Sequence, residues 1–236
     1  SEGKDVISFA AGEPDFDTPK HIKQAGITAI NMGFTKYTAT SGIIELKLAI
    51  CEKFKKDNNL IYKPENILVS NGAKQCLYNL IQVLVDPEDE VLIQIPYWVS
   101  YEEMVKLAGG KCVFLKPNKQ LKITANQIDQ SISAKTKILI LNSPSNPSGV
   151  VYDKKELEEI ARVLVAHNIL VISDEIYEKL IYGKKHHSIA SINSKINKLT
   201  VVVNGVSKSY AMTGWRIGYC AGPKEIIKMA SSLQDH

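Results

Sequence analysis

Two short runs of branched aliphatic residues, at positions 169–172 and 199–203, constrain the fold more than anything else in this chain of 236 residues. Each is too short for a helix and shows no alternation of polar and apolar positions. Such a run reads as a strand buried on both faces, which requires helices above and below it. Between the two runs of 136–141 and 169–172 lies Asp153-Lys-Lys-Glu156, a capping box. It opens a helix with an apolar stripe of Leu157, Ile160, Ala161, Leu164 and Val165. Strand, helix, strand in that order predicts an α/β chain with a mostly parallel central sheet flanked by helices.

The same alternation extends upstream. Residues 67–69, 90–95 and 111–115 read as further strands. Residues 72–85 read as a helix with Leu77, Leu80, Ile81 and Leu84 on one face, and residues 99–108 as another ended by Gly109-Gly110. A last helix begins near Pro223. Residues 1–19 are rich in turn formers and read as irregular, so the expected organisation is an N-terminal segment (1–19) followed by one large domain (20–236).

A hydrophobic share of 44% supports a substantial core, and a net charge of +4 with scattered lysines argues against a nucleic-acid surface. No apolar run approaches the roughly 20 residues that cross a bilayer. The four cysteines form no C-x-x-C pair and read as buried free thiols, which points to a reducing, cytoplasmic setting. No metal-ligating pattern is expected.

In a parallel sheet, ligands bind beyond the carboxyl ends of the strands, and the chemically informative residues fall there. After the run 199–203 come Ser207 and Lys208, with Arg216 eight positions on. The chain has 29 basic residues but only two arginines, Arg162 and Arg216. A guanidinium fork suits a phosphate or carboxylate as an ammonium does not. Lysine is the residue that forms Schiff bases with carbonyl compounds. Together they suggest an aldehyde cofactor that carries a phosphate, a description that pyridoxal phosphate fits.

The other strand ends are individually ambiguous. Ser70-Asn71-Gly72-Ala73-Lys74 is either an anion cradle at a helix start or plain turn geometry. Trp98 is either a core aromatic or a flat face for a planar ring. Asn146 sits in a proline-fixed turn and could donate its amide to a phenolic oxygen. Asp174 is either a helix cap or a buried acid that needs a cationic partner, such as a protonated ring nitrogen. Tyr177 lies one helical turn further on.

Read together, the segment 207–218, Asn146-Pro-Ser-Gly149, Pro96-Tyr-Trp98 and Asp174-Glu-Ile-Tyr177 resemble the class I and II aminotransferases, fold-type I pyridoxal phosphate enzymes. With Gly12-Glu-Pro-Asp-Phe16 and Asn71-Gly-Ala-Lys74, the wording is most similar to the bacterial aspartate and aspartate/prephenate branch. The resemblance implies that Lys208 binds the cofactor and moves the substrate proton. Asp174 would keep the pyridine nitrogen protonated, and Tyr177 and Asn146 would hydrogen-bond the phenolic oxygen. Arg216, Ser207 and the backbone of Gly72 and Ala73 would hold the phosphate, and Trp98 would stack on the ring. Gly12, Trp98, Asn146 and Lys74 would touch substrate, with Lys74 near the phosphate and able to meet a distal carboxylate. Tyr37 would reach the phosphate of a second subunit, which implies a homodimer.

The family also clamps the substrate α-carboxylate with an arginine in a C-terminal small domain. Neither Arg162 nor Arg216 suits that role, so the small domain is expected to be missing from this sequence. The cofactor residues alone leave open a carbon–sulfur lyase, an enzyme like aminocyclopropane carboxylate synthase, or an aminotransferase-like domain of a transcription regulator.

Overall fold

The structure, a computed structural model, describes residues 12–236. Residues 1–11 of the expected N-terminal segment lie outside the described part. In chain order the elements are α1 (Lys20–Asn31), α2 (Ile44–Asn58), β1 (Ile67–Ser70), α3 (Ala73–Leu84), β2 (Glu90–Gln94), α4 (Ser100–Leu107), β3 (Lys111–Leu115) and α5 (Ala125–Ser131). They continue as β4 (Thr136–Asn142), α6 (Lys154–Ala166), β5 (Leu170–Asp174), α7 (Ser194–Asn197), β6 (Thr200–Gly205), β7 (Gly218–Ala221) and α8 (Lys224–Gln234).

The strands stand side by side in the order β1-β7-β6-β5-β4-β2-β3. β2 pairs in parallel with β3 and β4, β4 with β5, and β5 with β6. β7 alone runs the other way, antiparallel to β1 and β6. The other six strands therefore end on one edge of the sheet. This is the mostly parallel sheet that the aliphatic runs predict.

Strand alternation sends side chains to both faces. Ile138 and Ile140 of β4 join the cluster under α3, α4 and α8, which includes Leu77, Leu80, Tyr101 and Ile227. Leu139 and Leu141 point the other way, into the cluster with Ile128 of α5 and Leu157, Ile160 and Leu164 of α6. Tyr219 and Val202 meet Phe54 of α2 in a third cluster. A strand with both faces covered has no polar side to show, which is why the runs read as they do. The capping box forms as expected: the Asp153 carboxylate accepts from the Glu156 N–H at 2.9 Å and the Glu156 carboxylate accepts from the Asp153 N–H at 2.7 Å. Val165, placed on the core stripe by its spacing, is only partly buried.

Five elements escape the sequence reading, among them α7, whose four residues are too few to carry a periodic stripe. In α2, Ile44, Leu46, Leu48 and Ile50 recur every second residue, a strand-like pattern in a segment that folds as a helix. α1 buries none of its side chains, so it carries no core stripe to recognise. α5 is short, although Thr124 caps it through the Gln127 N–H at 3.3 Å. β7 is four residues long and sits inside the segment that the resemblance reads as chemistry.

Candidate functional site

The sheet delivers residues from five strand ends into one cleft of about 640 Å³ beyond its carboxyl edge. The first segment joins β1 to α3. Gly72 precedes the helix with φ +83°, a conformation that favours glycine, and no side chain caps α3. The N–H groups of the first turn therefore face the cleft without a capping oxygen, as an anion seat requires. A side chain at Gly72 would overlap the Arg216 guanidinium, and one at Gly218 would overlap the backbone of Gly72 and Ala73. Gly218 lets β7 and the start of α3 approach backbone to backbone, and Gly72 makes room for the Arg216 guanidinium. Arg216 itself adopts φ 55° and donates to the Thr213 carbonyl at 3.0 Å and to the Asn71 carbonyl at 3.4 Å. Those bonds aim the fork across the helix start.

The second segment follows β2. Trp98 is partly buried and meets Tyr101 edge-on, with ring centres 5.5 Å apart. The Lys74 ammonium, from the first turn of α3, lies 4.9 Å from the centre of the Trp98 ring. Lys74 and Trp98 thus form one wall of the cleft.

The third and fourth segments, at the ends of β4 and β5, hold Asn146 and Asp174. The Asn142 amide donates to the Asp174 carbonyl at 2.9 Å and accepts from the Asn146 N–H at 2.7 Å, which ties the two strand ends together. Asp174 is buried; its carboxylate accepts from the Tyr101 hydroxyl at 2.7 Å and from the Ile176 N–H at 3.2 Å. Burial, the largest influence, pushes its pKa up to about 6 against these two bonds. Tyr177 lies in a turn, not the helix that its spacing suggests: the Glu178 N–H bonds to Glu175 O and the Leu180 N–H to Tyr177 O. Its hydroxyl is raised by burial and by the Asp174 charge, with the Asn146 amide working against both.

The last segment follows β6. Lys208 Nζ donates to the Gly12 carbonyl and stands 5.7 Å from the Tyr177 ring centre. Burial lowers its pKa; Glu13 opposes the shift and Arg216 adds to it. A lysine with a lowered pKa in a cleft is the type that acts as a nucleophile or base. Ser207, beside it, is buried and also lines the cleft.

Gly12, Ala73, Lys74, Trp98, Asn146, Asp174, Tyr177, Ser207, Lys208 and Arg216 therefore converge, with Gly72 at the rim. Tyr37 does not: it is fully exposed and away from this cleft. Sequence reasoning missed Tyr101, Asn142 and Glu13. Tyr101 lies one turn beyond Trp98 on the buried stripe of α4 with Met104 and Val105, so core packing alone accounted for it. Among the described residues, Glu175, Glu178 and His186 also lie close enough together to share a cation. Glu178 is already paired with Lys53, and Glu175 accepts from Ser173 and Ser188 and contacts the His186 ring, so this reads as a packed charge network behind the sheet edge.

These residues fit a phosphorylated aldehyde with a basic ring nitrogen. The uncapped helix start and the glycine cradle leave room for phosphate beside Arg216. The buried acid needs a cationic partner.

A parallel α/β sheet with a desolvated lysine, a buried acid and an arginine-backed anion seat at its carboxyl edge defines a ligand-binding domain of the doubly wound class. Comparison narrows the class. Residues 4–236 match the family described as aminotransferase class I and II. The chain is 54% identical to the aspartate aminotransferase of Bacillus subtilis (strain 168), an alignment that covers 99% of this chain and 60% of that one. The crystal structure of the aspartate aminotransferase from Rhizobium meliloti superposes with a TM-score of 0.97 at 45% identity, covering 99% of this chain and 60% of the other. The Thermus thermophilus aspartate aminotransferase with maleate gives 0.93 at 46% identity, over 95% and 59%. This chain belongs to the class I and II aminotransferases. It spans about 60% of the length of the relatives it matches.

Proposed function

We propose that the protein is a pyridoxal phosphate-dependent aminotransferase that moves an amino group between L-aspartate or L-glutamate and a 2-oxo acid. The observation that carries this reading is the placement of Lys208 and Asp174 in one cleft with the Gly72–Arg216 anion seat. Arg216, Ser207 and the N–H groups of Gly72 and Ala73 would hold the phosphate. Trp98 would cover one ring face, Asp174 would meet the ring nitrogen, and Tyr177 and Asn146 would meet the phenolic oxygen. Lys208 would carry the aldehyde carbon. When bound, pyridoxal phosphate supplies a sink for the electron pair left as a substrate C–H bond breaks.

The chain's own residues do the rest. Lys208 Nζ, with its lowered pKa, can take a proton from the substrate Cα and hold it for return. Lys74, on the cleft wall, offers a cation to a second carboxylate. Maleate, the ligand of the Thermus thermophilus relative, is a dicarboxylate and supports an acidic preference. Gly12, whose carbonyl accepts from Lys208, borders the substrate space. On this reading residues 1–19 contribute to the substrate site and residues 20–236 form the cofactor domain. Arg162 is exposed on α6 and Arg216 is committed to the anion seat, so the α-carboxylate clamp would come from outside this sequence. Tyr37 and its exposed neighbours Ile30, Met32 and Phe34 would face a second subunit of a cytoplasmic homodimer, with Tyr37 on the partner's phosphate.

The test is an amino-transfer assay on the full-length protein with isotopically labelled L-aspartate and 2-oxoglutarate. The proposal expects label in glutamate and oxaloacetate as co-product. No label in glutamate, with ammonia and pyruvate released when a thioether amino acid such as L-cystathionine is supplied, would instead establish a carbon–sulfur lyase in the same cleft.

A further inference from the structure

Tyr101 contacts two parts of the cleft at once. Its hydroxyl donates to Asp174 Oδ2 at 2.7 Å, and its ring edge packs against Trp98 at 5.5 Å. Only 2% of it is exposed, so water does not compete for that hydroxyl. The tyrosine proton is firmly held: burial first, then the Asp174 charge, raises its pKa far above the ordinary value. Tyr101 is therefore a fixed donor, and it serves an acid that burial otherwise drives toward neutrality.

We propose that Tyr101 is a positioning residue: it keeps the buried Asp174 carboxylate ionised and oriented toward the cleft while its ring braces Trp98. The other favourable contact of the carboxylate is the Ile176 N–H of its own turn, which at 3.2 Å is longer than the 2.7 Å Tyr101 bond. A bond to a charged group is worth about twice a neutral one. The remaining charged or titratable groups around Asp174 do not replace Tyr101. Glu175, the next residue, raises the Asp174 pKa, and Tyr177 is coupled to the same charge. Lys74, Lys208 and Arg216 line the cleft, where Lys208 bonds to the Gly12 carbonyl and Arg216 to the Thr213 and Asn71 carbonyls. The inference rests on reading Asp174 as the partner of the cofactor's ring nitrogen.

The experiment uses the full-length protein, stripped of cofactor, with [γ-¹³C]aspartate incorporated. The Asp174 resonance is assigned by its loss in Asp174→Asn. Wild type is expected to titrate near pH 6. Tyr101→Phe keeps the ring and loses only the hydroxyl. Its Asp174 midpoint should rise by about one pH unit, a roughly tenfold fall in the ionisation constant for the loss of one hydrogen bond to the carboxylate. Pyridoxal phosphate affinity relative to wild type should then fall several-fold near pH 5.5, only about twofold at pH 7, and recover near pH 9, where both carboxylates are ionised. A purely structural role would change the melting temperature and leave that ratio independent of pH. An unmoved midpoint in folded Tyr101→Phe overturns this inference and leaves the proposed function standing. Failure of wild type to bind pyridoxal phosphate overturns both.

Discussion

At the scale of single residues, the site is a set of costs that a cationic, phosphorylated ligand would offset. Asp174 shows this most clearly. Its pKa rises from 3.8 to about 6 on folding. Between those values the folded protein binds a proton that the unfolded chain has lost, so stability falls as pH rises through that window. Two pH units correspond to about 3 kcal/mol. The cofactor-free protein should therefore melt at higher temperature near pH 4.5 than near pH 7 by this contribution, and Asp174→Asn should flatten the slope. A melting series in matched buffers checks it. On the proposed function the same residue also serves turnover: Asp174→Ala should lose at least about a hundredfold in kcat, since removing one partner of a buried pair costs several kcal/mol. Activity within a few-fold of wild type would remove Asp174 from the chemistry. Arg216→Lys keeps the charge but not the fork, and should weaken pyridoxal phosphate binding by about tenfold in a cofactor titration. Equal affinity would make Arg216 a structural residue.

At the scale of elements, the junction of β7 with the start of α3 is the decisive piece. Gly218 lies against Gly72 and Ala73 so closely that a Cβ has no space. Gly218→Ala should therefore cost about 1–3 kcal/mol in stability, the range for forcing atoms into a packed site. It should also loosen pyridoxal phosphate more than unphosphorylated pyridoxal, because the displaced element is the anion seat. Thermal melts and paired titrations measure both. This junction also shows where sequence reading stops. The runs that become β5 and β6 announce themselves because both of their faces are covered, and Asp153 and Glu156 announce a helix because capping is local chemistry. β7 does not, since four residues between a turn and a helix carry no period. α2 misleads outright, because its aliphatic residues alternate while the helix buries Ile50, Cys51 and Phe54 and leaves Ile44 and Leu48 exposed. Most cleft residues were legible because they follow strands that were legible, and Gly12, which follows no strand, only through the family resemblance. Tyr101 was not, since nothing in its local pattern separates a core tyrosine from one that reaches an acid 73 positions away.

At the scale of the whole molecule, the sheet edge collects residues distant in sequence into one cleft, and the proposed acidic substrate preference rests on what stands at its wall. Lys74 lies over Trp98 and opens toward the cleft. In the full-length protein Lys74→Ala should raise KM for aspartate several-fold more than KM for an aromatic donor, since a surface-accessible charge pair is worth about 1 kcal/mol or less. Equal changes for both donors would mean that Lys74 serves the phosphate or the Trp98 ring instead of the second carboxylate.

The central claim is that Lys208 carries the cofactor. Full-length protein loaded with pyridoxal phosphate is reduced with borohydride, digested, and mapped by mass spectrometry. The account predicts one phosphopyridoxyl group, on the peptide that contains Lys208, and none on that peptide in Lys208→Ala. A label on Lys74 or on any other lysine, with Lys208 unmodified, would contradict it.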